Sequence, residues 1–78
     1  MKLPRDLKGV ELAKALKKLG YTTTRQTGSH LRLMTHEKGE HHITIPKLDS
    51  LKLGTLHAIL KDVAEHLKMS LGDLIDKL

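Results

Sequence analysis

A chain of 78 residues has room for one domain, taken here as residues 1–78, and buries only about 60–65% of its unfolded surface, which excludes an enclosed cofactor pocket. Lys and Arg outnumber Asp and Glu by 14 to 9, a formal charge of +5 that favours RNA or DNA as a partner. No apolar run approaches the ~20 residues that span a bilayer, nothing in "MKLPRDLKGVEL" reads as a signal peptide, and the lack of cysteine excludes disulfides and thiolate metal sites, so a cytoplasmic protein is expected.

From Lys8 to Leu19 the residues Leu12, Ala13, Leu16 and Leu19 recur at helical spacing, with Lys14, Lys17 and Lys18 on other faces and Gly20 as a C-terminal stop. The threonine-rich Tyr21 to Gln26 predicts a strand, and Thr27-Gly28 supplies turn chemistry. In "HLRLMT" Leu31 and Leu33 alternate with His30, Arg32 and Met34, and in "HITIP" Ile43 and Ile45 alternate with His42 and Thr44. If Leu33 faces Ile43 and Leu31 faces Ile45, all four enter one core, and His30, Arg32, Met34, His42 and Thr44 share the opposite face. The intervening "HEKGE" closes that hairpin, with Gly39 available for a positive φ. A second helix is predicted over Leu53 to Leu67 from the stripe Leu56, Ile59, Leu60, Val63 and Leu67. Ser70, with Asp73 three residues on, caps a short last helix onto whose Leu74 Met69 can pack. The expected fold is α+β: a helix, three antiparallel strands, a helix and a short extra helix, with one sheet face covered and the other free.

That order of elements resembles the double-stranded RNA-binding fold. Four stretches in sequence, "LKGVELAKALKKLGY", "RQTGSHLRL", "ITIP" and "LKLGTLHAILKD", are similar to the HicA toxin family, small endoribonucleases of toxin–antitoxin systems, over roughly Leu3 to Lys68. The resemblance implies that His30 is the essential catalytic residue, that messenger RNA is the substrate, and that a HicB-type antitoxin binds over the His30 site. After "IP" the family often carries His or Asn, where Lys47 and Leu48 stand here.

The residues make chemical sense of that expectation. RNA is cut without a metal or other cofactor when its own 2′-OH attacks the adjacent phosphate and a histidine takes that proton or supplies one to the departing 5′-oxygen; one such group gives about 10²–10⁴-fold. Arg25 and Arg32 are the cations nearest in sequence for the phosphate. A tight turn at Thr27-Gly28 would make Arg25 and His30 cross-strand neighbours. Gly28 permits a sharp turn and close backbone approach, and the Ser29 hydroxyl is suited to bond a phosphate or to fix the imidazole. Which of Arg25, Ser29 or the RNA itself completes the site stays open at this point.

A second candidate RNA contact is Lys52, Gly54 and Thr55, at a helix N-terminus whose free N–H groups attract phosphate; ordinary capping accounts for Thr55 equally well. Lys14, Lys17 and Lys18 either follow a phosphate backbone or form a solvated helix face. With Tyr21 as the lone aromatic residue, base stacking on aromatic platforms is excluded, leaving phosphates, riboses and shape. His36, Glu37, Glu40, His41 and His42 cluster at the second hairpin without metal-site spacing, and no metal is assigned; His57 and His66 are expected on the surface of the second helix. The alternative to a nuclease is a non-catalytic RNA-binding module using the same basic surface; a third reading is a structural partner whose sheet another protein covers.

Overall fold

The computed structural model describes residues 6–78; the first five, with the leader-peptide question and the start of the family resemblance, lie outside them. The elements run α1 (Gly9–Lys17), β1 (Thr22–Gln26), β2 (His30–Thr35), β3 (His41–Pro46), α2 (Leu53–Leu67) and α3 (Leu71–Lys77). Helix α1 is shorter than the Lys8 to Leu19 expected, because the chain tightens after Lys17 into a turn that closes through Gly20 at φ +102°. Glu11 helps to start it by accepting the Lys8 backbone N–H at 2.9 Å. Helix α2 has the expected limits and ends on Lys68 in the left-handed region, φ +57°. Helix α3 begins as expected, the Asp73 N–H donating to the Ser70 hydroxyl at 3.0 Å, and Met69 packs against the core that contains Leu74.

The sheet is antiparallel in the order β1-β2-β3. Leu31 pairs with Ile45 and Leu33 with Ile43, as the alternation requires, and all four are buried. They meet Leu12 and Leu16 of α1 and Leu56, Leu60 and Val63 of α2, all fully buried, so both long helices lie on one sheet face. His30, Arg32, His42 and Thr44 are exposed on the other. Strand β1 begins at Thr22 rather than Tyr21, whose ring is drawn into the core and left 1% exposed. The segment between β3 and α2 is fixed from behind. The Gly9 N–H donates to Leu48 O at 3.0 Å, the Leu51 N–H donates to Leu7 O at 2.8 Å, and Gly9 lies so close to Pro46 that a Cβ there would meet its carbonyl oxygen at 2.1 Å.

At the far end of the sheet a polar clasp ties the β2–β3 hairpin to α2. The Tyr21 hydroxyl donates to His41 Nδ1 at 2.7 Å while His41 Nε2–H reaches Asp62 at 3.2 Å. His66 stacks on His41 with ring centres 4.3 Å apart and donates from Nε2 to the carbonyls of Glu37 and Gly39 at 2.8 and 3.0 Å. The surface position expected for His66 is therefore corrected: it is half-buried and saturates carbonyls at a turn where Lys38 and Gly39 both adopt positive φ. Burial first, then the charge of Asp62, pushes the Tyr21 hydroxyl up to about 12.

Candidate active site

The β1–β2 turn is organised by Thr27, whose part in the site the sequence reading missed. Its Oγ accepts the N–H groups of Ser29 and His30 at 3.3 and 3.0 Å, and its own N–H donates to His30 O at 2.9 Å. This hydroxyl-closed turn centres on Gly28-Ser29, one residue later than the Thr27-Gly28 expected, and a Thr-x-Ser run before a strand is the signal that was available for it. His30 is thereby set at the first position of β2, exposed, with its Nδ1 2.9 Å from the Ser29 hydroxyl. Its Nε2 has no partner among the described hydrogen bonds. A hydroxyl both donates and accepts, so Ser29 holds the ring while allowing either tautomer.

Gly28 departs from its expected role in the fold. Its φ is not positive and a Cβ built on it meets nothing within 4 Å, so neither turn sterics nor packing demands glycine there.

Arg25 is not the cross-strand neighbour of His30. Thr24 forms a bulge in β1, so the ladder pairs Arg25 with Arg32 and Gln26 with Leu31, leaving Thr27 opposite His30. The Thr24 hydroxyl reaches the Arg32 carbonyl at 3.3 Å instead. Two arginines are thus paired across the ladder on the free face, one alternation along β2 from His30. Like charges so placed are mutually repulsive, a repulsion that a bound anion would relieve.

Lys14 and Lys17 line an open groove between α1 and β1 with Val10, Ala13, Thr23, Gln26 and Leu31; its Gln26 and Leu31 end adjoins the His30 turn. Lys18 is exposed beyond the helix as its C-cap. At α2 the N-cap is Lys52, without a side-chain cap, so Thr55, at the third helical position, does not cap the helix. Lys52 and Gly54 are exposed, but Asp6 shares the hollow beside this helix start with Ser50, Leu51 and Leu53 and takes the Ser50 hydroxyl at 3.3 Å. A carboxylate in the same hollow as the first helical residue disfavours a second anion there, which weakens it as a phosphate site.

Two of the hairpin histidines, His41 and His42, are committed elsewhere. His42 bonds Glu40 at 2.9 Å, and that hydrogen bond, then the imidazole's charge, holds the Glu40 carboxyl below its ordinary value. Among the described residues no group of three or more His, Cys, Asp or Glu converges to hold a metal ion, and no helix is long and apolar enough to cross a membrane.

A three-stranded sheet backed on one face by helices, with a hydroxyl-braced histidine and paired arginines on the open face, defines a basic α+β domain consistent with the double-stranded RNA-binding topology. The family described as the HicA toxin of bacterial toxin–antitoxin systems matches residues 9–64, which spans all three strands and most of α2, and the chain belongs to that family. Membership implies an antitoxin of the HicB type as partner. No curated protein and no solved structure matches the chain.

Proposed function

We propose that this toxin is a cytoplasmic endoribonuclease that cuts messenger RNA at His30 without a metal, acting as one unit over residues 1–78. The observation that carries the reading is the exposed imidazole held through Nδ1 by Ser29, with Nε2 left for the substrate. The RNA 2′-oxygen attacks the phosphorus, the bond from phosphorus to the 5′-oxygen breaks, and the products are a 2′,3′-cyclic phosphate and a free 5′-OH. His30 Nε2 accepts the 2′-OH proton or donates one to the 5′-oxygen, and the adaptable Ser29 hydroxyl supports both states. Arg25 and Arg32 hold an adjoining phosphate, and Gly28 lets the RNA backbone approach the turn closely. Lys14, Lys17 and Lys18 extend the track along α1, and Lys52, Gly54 and Thr55 contribute a weaker contact at α2. A HicB-type antitoxin silences the enzyme by covering the His30 face.

The test is incubation of labelled RNA with purified protein in chelator. Fragments ending in 2′,3′-cyclic phosphate are expected from wild type, and at least about 10²-fold less from His30→Ala at unchanged thermal stability. Undiminished cleavage by that variant refutes the role of His30. RNA that shifts in a gel without shortening identifies a binding module instead.

A further inference from the structure

Resting on the reading of His30 as a nuclease residue, we infer that Lys47 is a second catalytic residue, whose ammonium group meets a non-bridging oxygen of the phosphate being cut. The bulge at Thr24 aligns Arg25 with Arg32 and away from His30, so the cation fixed against the histidine's turn comes from elsewhere. It comes from the end of β3. His30 pairs with Pro46, and one step further the Lys47 N–H donates to Ser29 O at 2.8 Å. Ser29 is therefore bonded through its side chain to the imidazole and through its carbonyl to the lysine backbone.

The lysine side chain then crosses the end of the turn, bringing Nζ to 3.5 Å from Thr27 O on the β1 side. That contact is at the outer limit of a hydrogen bond and uses one of three donors, so exchanging it for a charged phosphate oxygen is favourable. The mounting is firm where the side chain is not. Gly9 packs against Pro46 and bonds Leu48 from behind, while Ser29 bonds Lys47 from the front. As the 2′-oxygen adds to phosphorus, negative charge builds on the non-bridging oxygens, and a cation held beside them stabilises that charge more than it stabilises the starting ester.

The experiment compares Lys47→Gln and Lys47→Arg with wild type on RNA carrying oxygen or sulfur at a non-bridging position of one cleavable phosphate, alongside binding of an uncleavable 2′-O-methyl RNA. Lys47→Gln is expected to slow cleavage by about 10- to 100-fold, to bind the 2′-O-methyl RNA within a few-fold of wild type, and to lose the sulfur penalty that wild type shows. Lys47→Arg is expected to recover most of the rate. Cleavage by Lys47→Gln at the wild-type rate overturns the inference while leaving His30 in place. So does a loss of rate matched by an equal loss of binding with the sulfur penalty unchanged, which makes Lys47 a general RNA contact. RNA left intact by wild type overturns the nuclease reading and this inference together.

Discussion

Gly9→Ala sets two physical effects of opposite sign against each other. Helix propensity favours the change: alanine is better than glycine by up to about 1 kcal/mol inside a helix, and somewhat less at the first helical residue, where Gly9 stands. Packing opposes it. The added methyl would sit 2.1 Å from Pro46 O, about 1 Å inside the closest contact tolerated, and the atoms it meets are all backbone, so no side chain can swing aside. Overpacking of this kind costs about 1–3 kcal/mol, and pushing the segments apart also strains the 3.0 Å bond from Gly9 N–H to Leu48 O, worth about 0.5–1.5 kcal/mol. The expected net loss is about 1–3 kcal/mol, a fall in Tm of about 5–20 °C for a domain of this size. Thermal and urea unfolding followed by circular dichroism measure it directly. A variant as stable as wild type, or more so, would refute the close approach of α1 to the end of β3.

Two further outcomes follow from the described contacts. The Tyr21 hydroxyl ionises only near 12 in the fold, against an ordinary value of 10, so its contribution is complete below pH 10 and is lost as pH rises toward 12, a total of about 3 kcal/mol. As the lone tyrosine, Tyr21 can be titrated through its ultraviolet tyrosinate band, and denaturant titrations from pH 9 upward should show a fall in stability that Tyr21→Phe lacks; an identical fall in that variant would contradict the assignment. Arg25→Gln should relieve its repulsion with Arg32 and raise stability by about 0.5 kcal/mol, while weakening RNA binding and reducing its salt slope by about 0.7; unchanged RNA binding would remove the arginine pair from the interface.

The parts of the fold that could be read from the sequence were those where burial enforces a period. Leu31 and Leu33 against Ile43 and Ile45 admit one register that keeps all four out of water, and that register is the one found. Strand β1 offered no such constraint. Thr22, Thr23 and Thr24 are nearly interchangeable in polarity and β-branching, so nothing in them announced the bulge that moves Arg25 away from His30. Lys47 and His66 were illegible for another reason: their partners lie 20 to 29 residues away and are backbone carbonyls, which every residue carries. The histidine itself was legible from local text, since turn residues before an alternating strand turn its first side chain away from the core.

The unencumbered position of Gly28 has a practical use. Where Gly9 is required by the atoms packed against it, Gly28 has open space where its side chain would be, beside the candidate catalytic histidine and away from the core. The chain contains no cysteine, so a cysteine introduced at 28 would be unique and chemically addressable. A small fluorophore attached there would leave the fold intact but stand in the path proposed for the RNA backbone, so a labelled protein that still cut RNA at the wild-type rate would show that the RNA does not approach the turn at Gly28.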